Sequence, residues 1–241
     1  YSLYGAHAYQ PIDNPSLMHY FGSYQLSGSG AAAGEQVRCV IYGLQTDKGG
    51  MFDTFYGYRL CDVTLSGATI TGEERAGALA ARIGNSGTTE VQGCRVYLSA
   101  AEGDLTDKTE KDVRIKGSKY VGGLVGYNDT NGTIDINYTL IGGRVAATGD
   151  CVGGLIGLNA STKLLEKKLT IKPSSVQGRY YVGGAIGANV VNPGENVTVS
   201  GLKVDNSLGT VTAEAFCGGL IGYQRTYTEK DRAGGTLYAL L

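Results

Sequence analysis

A glycine-rich block of eight residues recurs four times in the second half of the chain. The copies are VGGLVGYN at 121–128, VGGLIGLN at 152–159, VGGAIGAN at 182–189 and CGGLIGYQ at 217–224. Their first glycines are residues 122, 153, 183 and 218, so the blocks are 31, 30 and 35 residues apart. A nearly constant period of this length is typical of solenoids, in which each repeat stacks on the next one and buries a shared core.

The segments between the blocks have the pattern of β-strands. CDVTL at 61–65, QGCRVYL at 92–98, TIDINYTL at 133–140 and NVTV at 196–199 are rich in β-branched residues and alternate with period two. Three strands of about five residues, joined by tight turns, fill one such period. We therefore predict an all-β, right-handed parallel β-helix (β-solenoid) of roughly five to six coils, with N- and C-terminal caps.

Composition supports the same fold class. The chain has 39 glycines in 241 residues, about twice the usual share, but only 4 prolines. This balance excludes a collagen-like or proline-rich disordered segment, so the glycines are structural. Weaker copies of the block, AGALA at 76–80 and GGMF at 49–52, extend the repeat towards the N-terminus.

Three glycines stand at equivalent positions in each clear copy, and we predict that they are structural repeat residues. They allow either a close approach of neighbouring walls or a positive φ at a corner, and the sequence leaves both reasons open. The positions are Gly122, Gly123, Gly126, Gly153, Gly154, Gly157, Gly183, Gly184, Gly187, Gly218, Gly219 and Gly222.

The repeat divides the chain into three parts. Residues 1–35 are predicted to form an N-terminal cap or linker segment, and residues 36–224 the β-solenoid. A polar, charged stretch at about 101–112 is predicted to loop out of its coil as an insertion. Residues 225–241 are predicted to be a C-terminal cap or a truncated coil, because the open edges of a solenoid must be covered.

Two sets of side chains stand out, one as candidate ligand contacts and the other as a candidate stack within the solenoid. Tyr4, Tyr9, Tyr20 and Tyr24 in the N-terminal segment are tentative ligand contacts, because a tyrosine ring buries area while its hydroxyl stays hydrogen-bonded. The asparagines that end three of the glycine blocks, at 128, 159 and 189, are predicted to stack and to cap turn backbone groups.

Neither a catalytic residue nor a cofactor or metal site is predicted. The five cysteines are an odd number without a C-x-x-C pair, and both histidines precede residue 20. Cys61 and Cys94 align between coils, with Asn137 near the same position in the next coil, as a ladder of small side chains. Cys151 aligns with aromatic residues and Cys217 with valines, so buried free thiols are expected.

Charge and hydropathy limit the partners. The net charge is −1, without a basic stripe for phosphates, so no nucleic-acid partner is predicted. No apolar run reaches the roughly 18 residues of a membrane span, so no membrane insertion is predicted within this segment. A host protein or a glycan is a possible partner. The chain begins with Tyr1 and is expected to be part of a larger chain.

The four blocks resemble the GLUG repeat, a glycine-rich repeat of large bacterial surface proteins that include adhesins and the non-catalytic regions of certain immunoglobulin A peptidases. The resemblance covers roughly residues 37–224. It implies a secreted or wall-attached bacterial protein and an extracellular, cell-surface location, and it brings no catalytic residue. Ala185 in place of leucine and the eroded copy at 76–80 depart from the pattern.

These features favour a non-catalytic bacterial cell-surface binding or spacer module, adhesin-like, and not an enzyme. The alternative is a carbohydrate-active β-helix enzyme, a polysaccharide lyase or glycoside hydrolase, with carboxylates gathered on one face. Asp62, Asp129, Asp135 and Asp205 are available, but they do not recur in register. A phosphate-binding reading of the glycines is disfavoured, because such a loop occurs once, between a strand and a helix.

Overall fold

The structure is a computed structural model. It describes residues 39–42, 44–56, 59–61, 63–84, 89–97, 113–129, 133–141, 143–160, 163–172, 175–191, 198–200 and 209–226. These ranges contain 24 β-strands and no helix.

The strands form four sheets, which we call A to D. Sheet A contains β1 (Cys39–Tyr42), β4 (Arg59–Cys61), β5 (Val63–Ser66), β9 (Thr89–Tyr97), β13 (Thr133–Ile141), β17 (Lys163–Lys172) and β21 (Thr198–Ser200). Sheet B contains β2 (Gln45–Thr46), β6 (Thr69–Thr71), β10 (Val113–Gly117), β14 (Arg144–Ala147), β18 (Ser175–Gln177) and β22 (Thr210–Thr212).

Sheet D contains β7 (Ala76–Gly77), β11 (Val121–Gly122), β15 (Val152–Gly153), β19 (Tyr180–Gly183) and β23 (Ala215–Gly218). Sheet C contains β3 (Phe52–Phe55), β8 (Ala80–Ile83), β12 (Val125–Asn128), β16 (Ile156–Asn159), β20 (Ile186–Val191) and β24 (Ile221–Thr226).

The pairing of these strands confirms the β-solenoid. Every pairing is parallel, and from β5 to β20 each strand pairs with the strand four places later in the chain. From β5 onwards each coil therefore contributes one strand to each sheet. The right-handed sense, the number of coils and the caps stay predictions.

Each full coil contains four strands rather than the predicted three. The difference lies in the glycine block, which splits into two short strands, β11 and β12 in its first copy, joined by a turn at 123–124. The block thus forms a sharp bend between sheets D and C. Sequence periodicity did not reveal this bend because both halves are apolar.

The predicted ladder of Cys61, Cys94 and Asn137 is wrong in its register. Cys61 pairs with Gln92, and Cys94 pairs with Tyr138. The alignment fails because the two short strands β4 and β5 together face the single longer strand β9.

The core runs along the axis as columns of equivalent residues. Leu124, Leu155 and Ala185 are each fully buried, and the backbone N–H of each bonds to the next coil. Val121, Val152 and Val182 form a neighbouring buried column. Leu124 and Leu155 thus stack along the axis, and Ala185 takes the place of a leucine in the same buried column. The following member, Leu220, is partly exposed because it belongs to the last described coil.

Close approach of the backbone explains the first and third glycines of each block. A Cβ atom on Gly122 would lie 2.7 Å from the Leu155 oxygen and 2.8 Å from the Gly157 nitrogen. One on Gly157 would lie 2.5 Å from the Val121 nitrogen and 2.7 Å from the Gly126 oxygen. The first glycine of one coil therefore packs against the third glycine of the next, where any side chain would overlap backbone.

Positive φ falls on a different position, the residue immediately before each block. Four non-glycine residues adopt it, one in each clear repeat: Tyr120 (48°), Cys151 (61°), Tyr181 (56°) and Phe216 (59°). The left-handed region is uncommon for residues other than glycine. Its recurrence at one position shows that the corner is a property of the repeat. Tyr120, Cys151 and Tyr181 pack in a second buried cluster, separate from the main core.

Candidate functional site

A ladder of side-chain amides runs along the solenoid at the end of sheet C. Asn128 Nδ2 donates to Asn159 Oδ1 at 2.6 Å, and Asn159 Nδ2 donates to Asn189 Oδ1 at 2.6 Å. Asn189 Nδ2 donates to Gln224 Oε1 at 2.8 Å. We call these four residues the amide ladder.

The amide ladder is buried along most of its length. Asn128, Asn159 and Asn189 are fully buried, whereas Gln224 is exposed. A buried amide is costly unless it is hydrogen-bonded. Here the spacing between paired strands allows each amide to bond to the equivalent residue of the next coil. The predicted stacking of the asparagines is confirmed, with bonds between side chains, whereas the capping of turn backbone groups stays a prediction. One coil earlier the position is Ile83, so the ladder begins at Asn128.

A second buried cluster, separate from the main core, includes residues of sheet C and the positive-φ residues that precede the glycine blocks. The positive-φ residues cover the position before the amide ladder: Tyr120 over Tyr127, Cys151 over Leu158, and Tyr181 over Ala188 and Tyr223. Together with Tyr180 and Phe216, the aromatic members form what we call the outer aromatic stripe: Tyr120, Tyr127, Tyr180, Tyr181, Phe216 and Tyr223.

The rings of the last two described coils are in contact with one another. The Tyr181 and Phe216 rings stack, with centroids 5.2 Å apart and an interplanar angle of 24°. The Tyr181 and Tyr223 centroids are 4.6 Å apart. Offset and tilted ring pairs at these distances add stability beyond simple burial. Cys151 and Leu158 interrupt the stripe with smaller side chains.

Cations flank the stripe. The Arg75 guanidinium lies 5.5 Å from the Tyr127 ring centroid, Lys119 Nζ lies 4.9 Å from that of Tyr120, and the Arg179 guanidinium lies 4.7 Å from that of Tyr180. These are cation–π distances. The cations cover part of the aromatic surface and make it amphipathic.

Two carboxylates near the stripe are each held by an arginine. Asp150, which is almost fully buried, accepts hydrogen bonds from Arg179 at 3.3 and 3.5 Å. Asp129 is ion-paired with Arg82 and accepts a 3.3 Å hydrogen bond from the Tyr127 hydroxyl. Burial, followed by the charge of Asp129, raises the pKa of Tyr127 to about 12. Both carboxylates therefore form ion pairs within the protein.

The two described cysteine side chains differ in exposure. Cys151 is fully buried as expected, and its burial, followed by the Asp150 charge, raises the pKa of its thiol to about 12. Such a thiol stays protonated and is a poor nucleophile at neutral pH. Cys217 is exposed, so the prediction of burial is wrong for this residue. It occupies the valine column, but it lies in the last described coil.

That last coil has an exposed end. Phe216 is 58% exposed and Leu220 is 44% exposed, although their equivalents Tyr181 and Ala185 are 4% and 0% exposed. In the first described coil, by contrast, Phe52 is only 2% exposed. The two ends of the described solenoid therefore differ in their apolar exposure.

Most of the remaining predicted site residues lie outside the described residues. Tyr4, Tyr9, Tyr20 and Tyr24, the insertion at 101–112, and Asp62 and Asp205 lie outside the described residues. Asp135 is described only as a strand residue of β13. Within the described ranges, no group of three or more His, Cys, Asp or Glu residues is placed to hold a metal ion. No helix in these ranges is long and apolar enough to cross a membrane.

Sequence reasoning did not identify the outer aromatic stripe as a unit. The signal was present, because Tyr120, Cys151, Tyr181 and Phe216 align as one column before the glycine blocks. Alignment does not show where a side chain points. In the structure, Tyr120, Cys151 and Tyr181 of this column have positive φ and pack in a second buried cluster, separate from the main core.

Comparisons with protein-family models, with curated proteins and with solved structures gave no match. The functional argument therefore depends on the geometry of the chain itself.

Proposed function

We propose that this chain is a non-catalytic spacer module of a bacterial cell surface, a rod that holds other parts of a larger protein at a set distance. The observation that supports this role most directly is the axial repetition of every stabilising feature. Four sheets, the leucine and valine columns, the amide ladder and the paired glycines all run in the same direction. The bacterial surface location comes from the resemblance to the GLUG repeat.

Such repetition produces stiffness. Each coil is hydrogen-bonded to its neighbours in four sheets, so bending the rod would stretch bonds on one side and compress packing on the other. The glycine contacts leave no space for this compression, because the backbones of sheets D and C already touch. Repeat proteins of this kind also change length by whole units, since each unit contacts only its neighbours.

A one-coil deletion tests the spacer role. Removing residues 152–181 joins Cys151 to Val182 and retains the order of corner, glycine block and ladder residue. We expect a folded protein that is shorter by one strand spacing, about 4.8 Å, with an unchanged cross-section. Small-angle X-ray scattering measures both dimensions.

The matched control removes half a coil. Deleting residues 152–166 places a strand of sheet A directly after the corner, so core and surface positions no longer coincide. We expect this variant to lose cooperative unfolding. If the one-coil deletion unfolds as completely as the control, the chain is a single indivisible unit and the spacer proposal fails.

The absence of catalysis needs its own assay. The full chain is incubated with a panel of acidic and neutral polysaccharides, and new reducing ends or unsaturated uronates are measured. We expect no product above a heat-denatured sample. Product formation by the chain that is lost in the Asp129→Asn variant would overturn the proposal in favour of a carbohydrate-active enzyme.

A further inference from the structure

Sheet B presents a polar side to the solvent along the solenoid. One residue of each strand from β6 to β18 is fully buried, in the column Ile70, Ile115, Val145 and Val176. Because side chains alternate along a strand, the residues on either side of this column point outward. The outward positions of β6 and β22 are all threonines. We call this outward side the sheet B face.

The central strands of the sheet B face carry three cations. Arg114 and Lys116 lie on either side of the buried residue of β10, and Arg144 lies at the first outward position of β14. Lys116 is exposed. None of the described outward positions in sheet B is occupied by Asp or Glu. The side chains of this face therefore complement a negatively charged ligand.

The two arginines are oriented by neutral partners on neighbouring coils. Arg144 donates from Nε to Ser175 Oγ at 3.1 Å and from Nη2 to Gln177 Oε1 at 2.8 Å. Arg114 Nη1 lies 3.5 Å from Thr69 Oγ1, which accepts its hydrogen bond. These acceptors carry no charge, so the bonds orient the guanidinium groups without cancelling their charge. Such preorganisation lowers the entropic cost of binding.

The residues around the cations favour a sugar polymer over a nucleic acid. Hydroxyl groups of threonine and Ser175 and the amide of Gln177 donate and accept hydrogen bonds, as sugar hydroxyls require. No described outward position in sheet B is aromatic, so bases would have no ring on which to stack. The six strands give the face a length of roughly 24 Å, which suits an extended chain of several sugars.

We propose that the sheet B face binds an acidic polysaccharide, a chain with carboxylates on its sugar rings, laid along the solenoid axis. Arg114, Lys116 and Arg144 bind the carboxylates at the centre of the face. The threonine hydroxyls and the Gln177 amide bond to sugar hydroxyls on either side. The proposal does not rest on the spacer role, because binding along a side face requires neither stiffness nor a set length.

Titration calorimetry of the full chain with a hexamer of galacturonate at low salt tests the proposal. The matched probe is the same hexamer with its carboxylates methyl-esterified, which removes the charge and keeps the sugar chain. We expect binding of the charged hexamer only, and we expect its affinity to fall as salt is added.

Variants locate the site. Lys116→Gln combined with Arg144→Gln should weaken binding by at least about tenfold. Ala146→Lys should tighten it, because residue 146 pairs with Lys116 on the next coil and adds a fourth cation to the face. The matched control, Arg75→Gln combined with Lys119→Gln, removes two cations from the outer aromatic stripe and should leave the affinity within about twofold.

Urea unfolding of each variant shows whether it is folded before affinities are compared, and the gain expected from Ala146→Lys cannot come from misfolding. Several results would overturn the proposal. Absence of binding at low salt, or equal binding of the esterified hexamer, would exclude an acidic-polysaccharide site. Equal binding of a single-stranded DNA of the same charge would show a general polyanion surface. A loss of affinity in the control pair alone would place the site on the outer aromatic stripe.

Discussion

Asn159 donates a hydrogen bond of 2.6 Å from Nδ2 to Oδ1 of Asn189, thirty residues farther along the chain. The bond joins the same position in successive coils, and both side chains are fully buried. Each interior asparagine of the ladder is therefore donor to one coil and acceptor from the other, and the coil spacing is part of the bond geometry.

Removal of one interior ladder member should therefore affect two neighbours. Asn159→Ala leaves Asn128 Nδ2 without its acceptor and Asn189 Oδ1 without its donor, and each unsatisfied buried group costs roughly 1–3 kcal/mol. We expect the free energy of unfolding in urea to fall accordingly. Gln224→Ala, at the exposed end, should cost clearly less. An equal loss in both variants would contradict a cooperative ladder.

Substitution by alanine should affect stability very differently at two glycines of the same motif. A Cβ on Gly157 would lie 2.5 Å from the Val121 nitrogen, where only backbone can move. Gly157→Ala should cost about 3 kcal/mol or more, at the upper end for overpacking. A Cβ on Gly219 meets nothing within 4 Å, so Gly219→Ala should be close to neutral. Thermal and urea unfolding measure both changes, and similar losses would refute the close-approach explanation.

Stability should decrease in alkaline solution partly through Cys151. Burial and the Asp150 charge raise the pKa of its thiol from 9.0 to about 12, so the folded state retains a proton that the unfolded chain loses. Stability from this group is complete below pH 9 and is lost as pH rises towards 12, by about 1.4 kcal/mol per pH unit. Cys151→Ala should flatten this part of the pH dependence. Equal slopes for the two proteins in urea titrations at pH 8 to 10.5 would exclude the effect.

Substitutions at Phe216 should reveal the free-energy cost of its positive φ. Its φ is 59° and its side chain is 58% exposed, so backbone conformation weighs more than burial there. Asparagine enters this conformation more readily than other non-glycine residues, whereas a β-branched residue is strongly disfavoured. Phe216→Asn should therefore be more stable than Phe216→Val by roughly 1 kcal/mol. Urea unfolding of the two variants measures this difference in stability. The reverse order would show that ring stacking on Tyr181 dominates.

Much of the architecture could be predicted from the sequence alone. The period of the glycine blocks indicated stacked coils, because a repeat that cannot bury its own apolar face must pack on its neighbours. The asparagines at 128, 159 and 189 could be predicted to stack for the same reason: equivalent positions in a solenoid lie one strand spacing apart. The burial of Cys151 also followed from its place in the repeat.

Only the tertiary structure decided the geometry around each block. The division of the block into two strands, the positive φ before it and the contact of Gly122 with Gly157 all depend on backbone that approaches from another coil. The exposure of Cys217 and Leu220 has the same origin, since both occupy core positions by sequence and lie at the end of the described stack. A periodic sequence determines which positions of successive coils are equivalent, but the burial of a core position also requires a neighbouring coil on both sides.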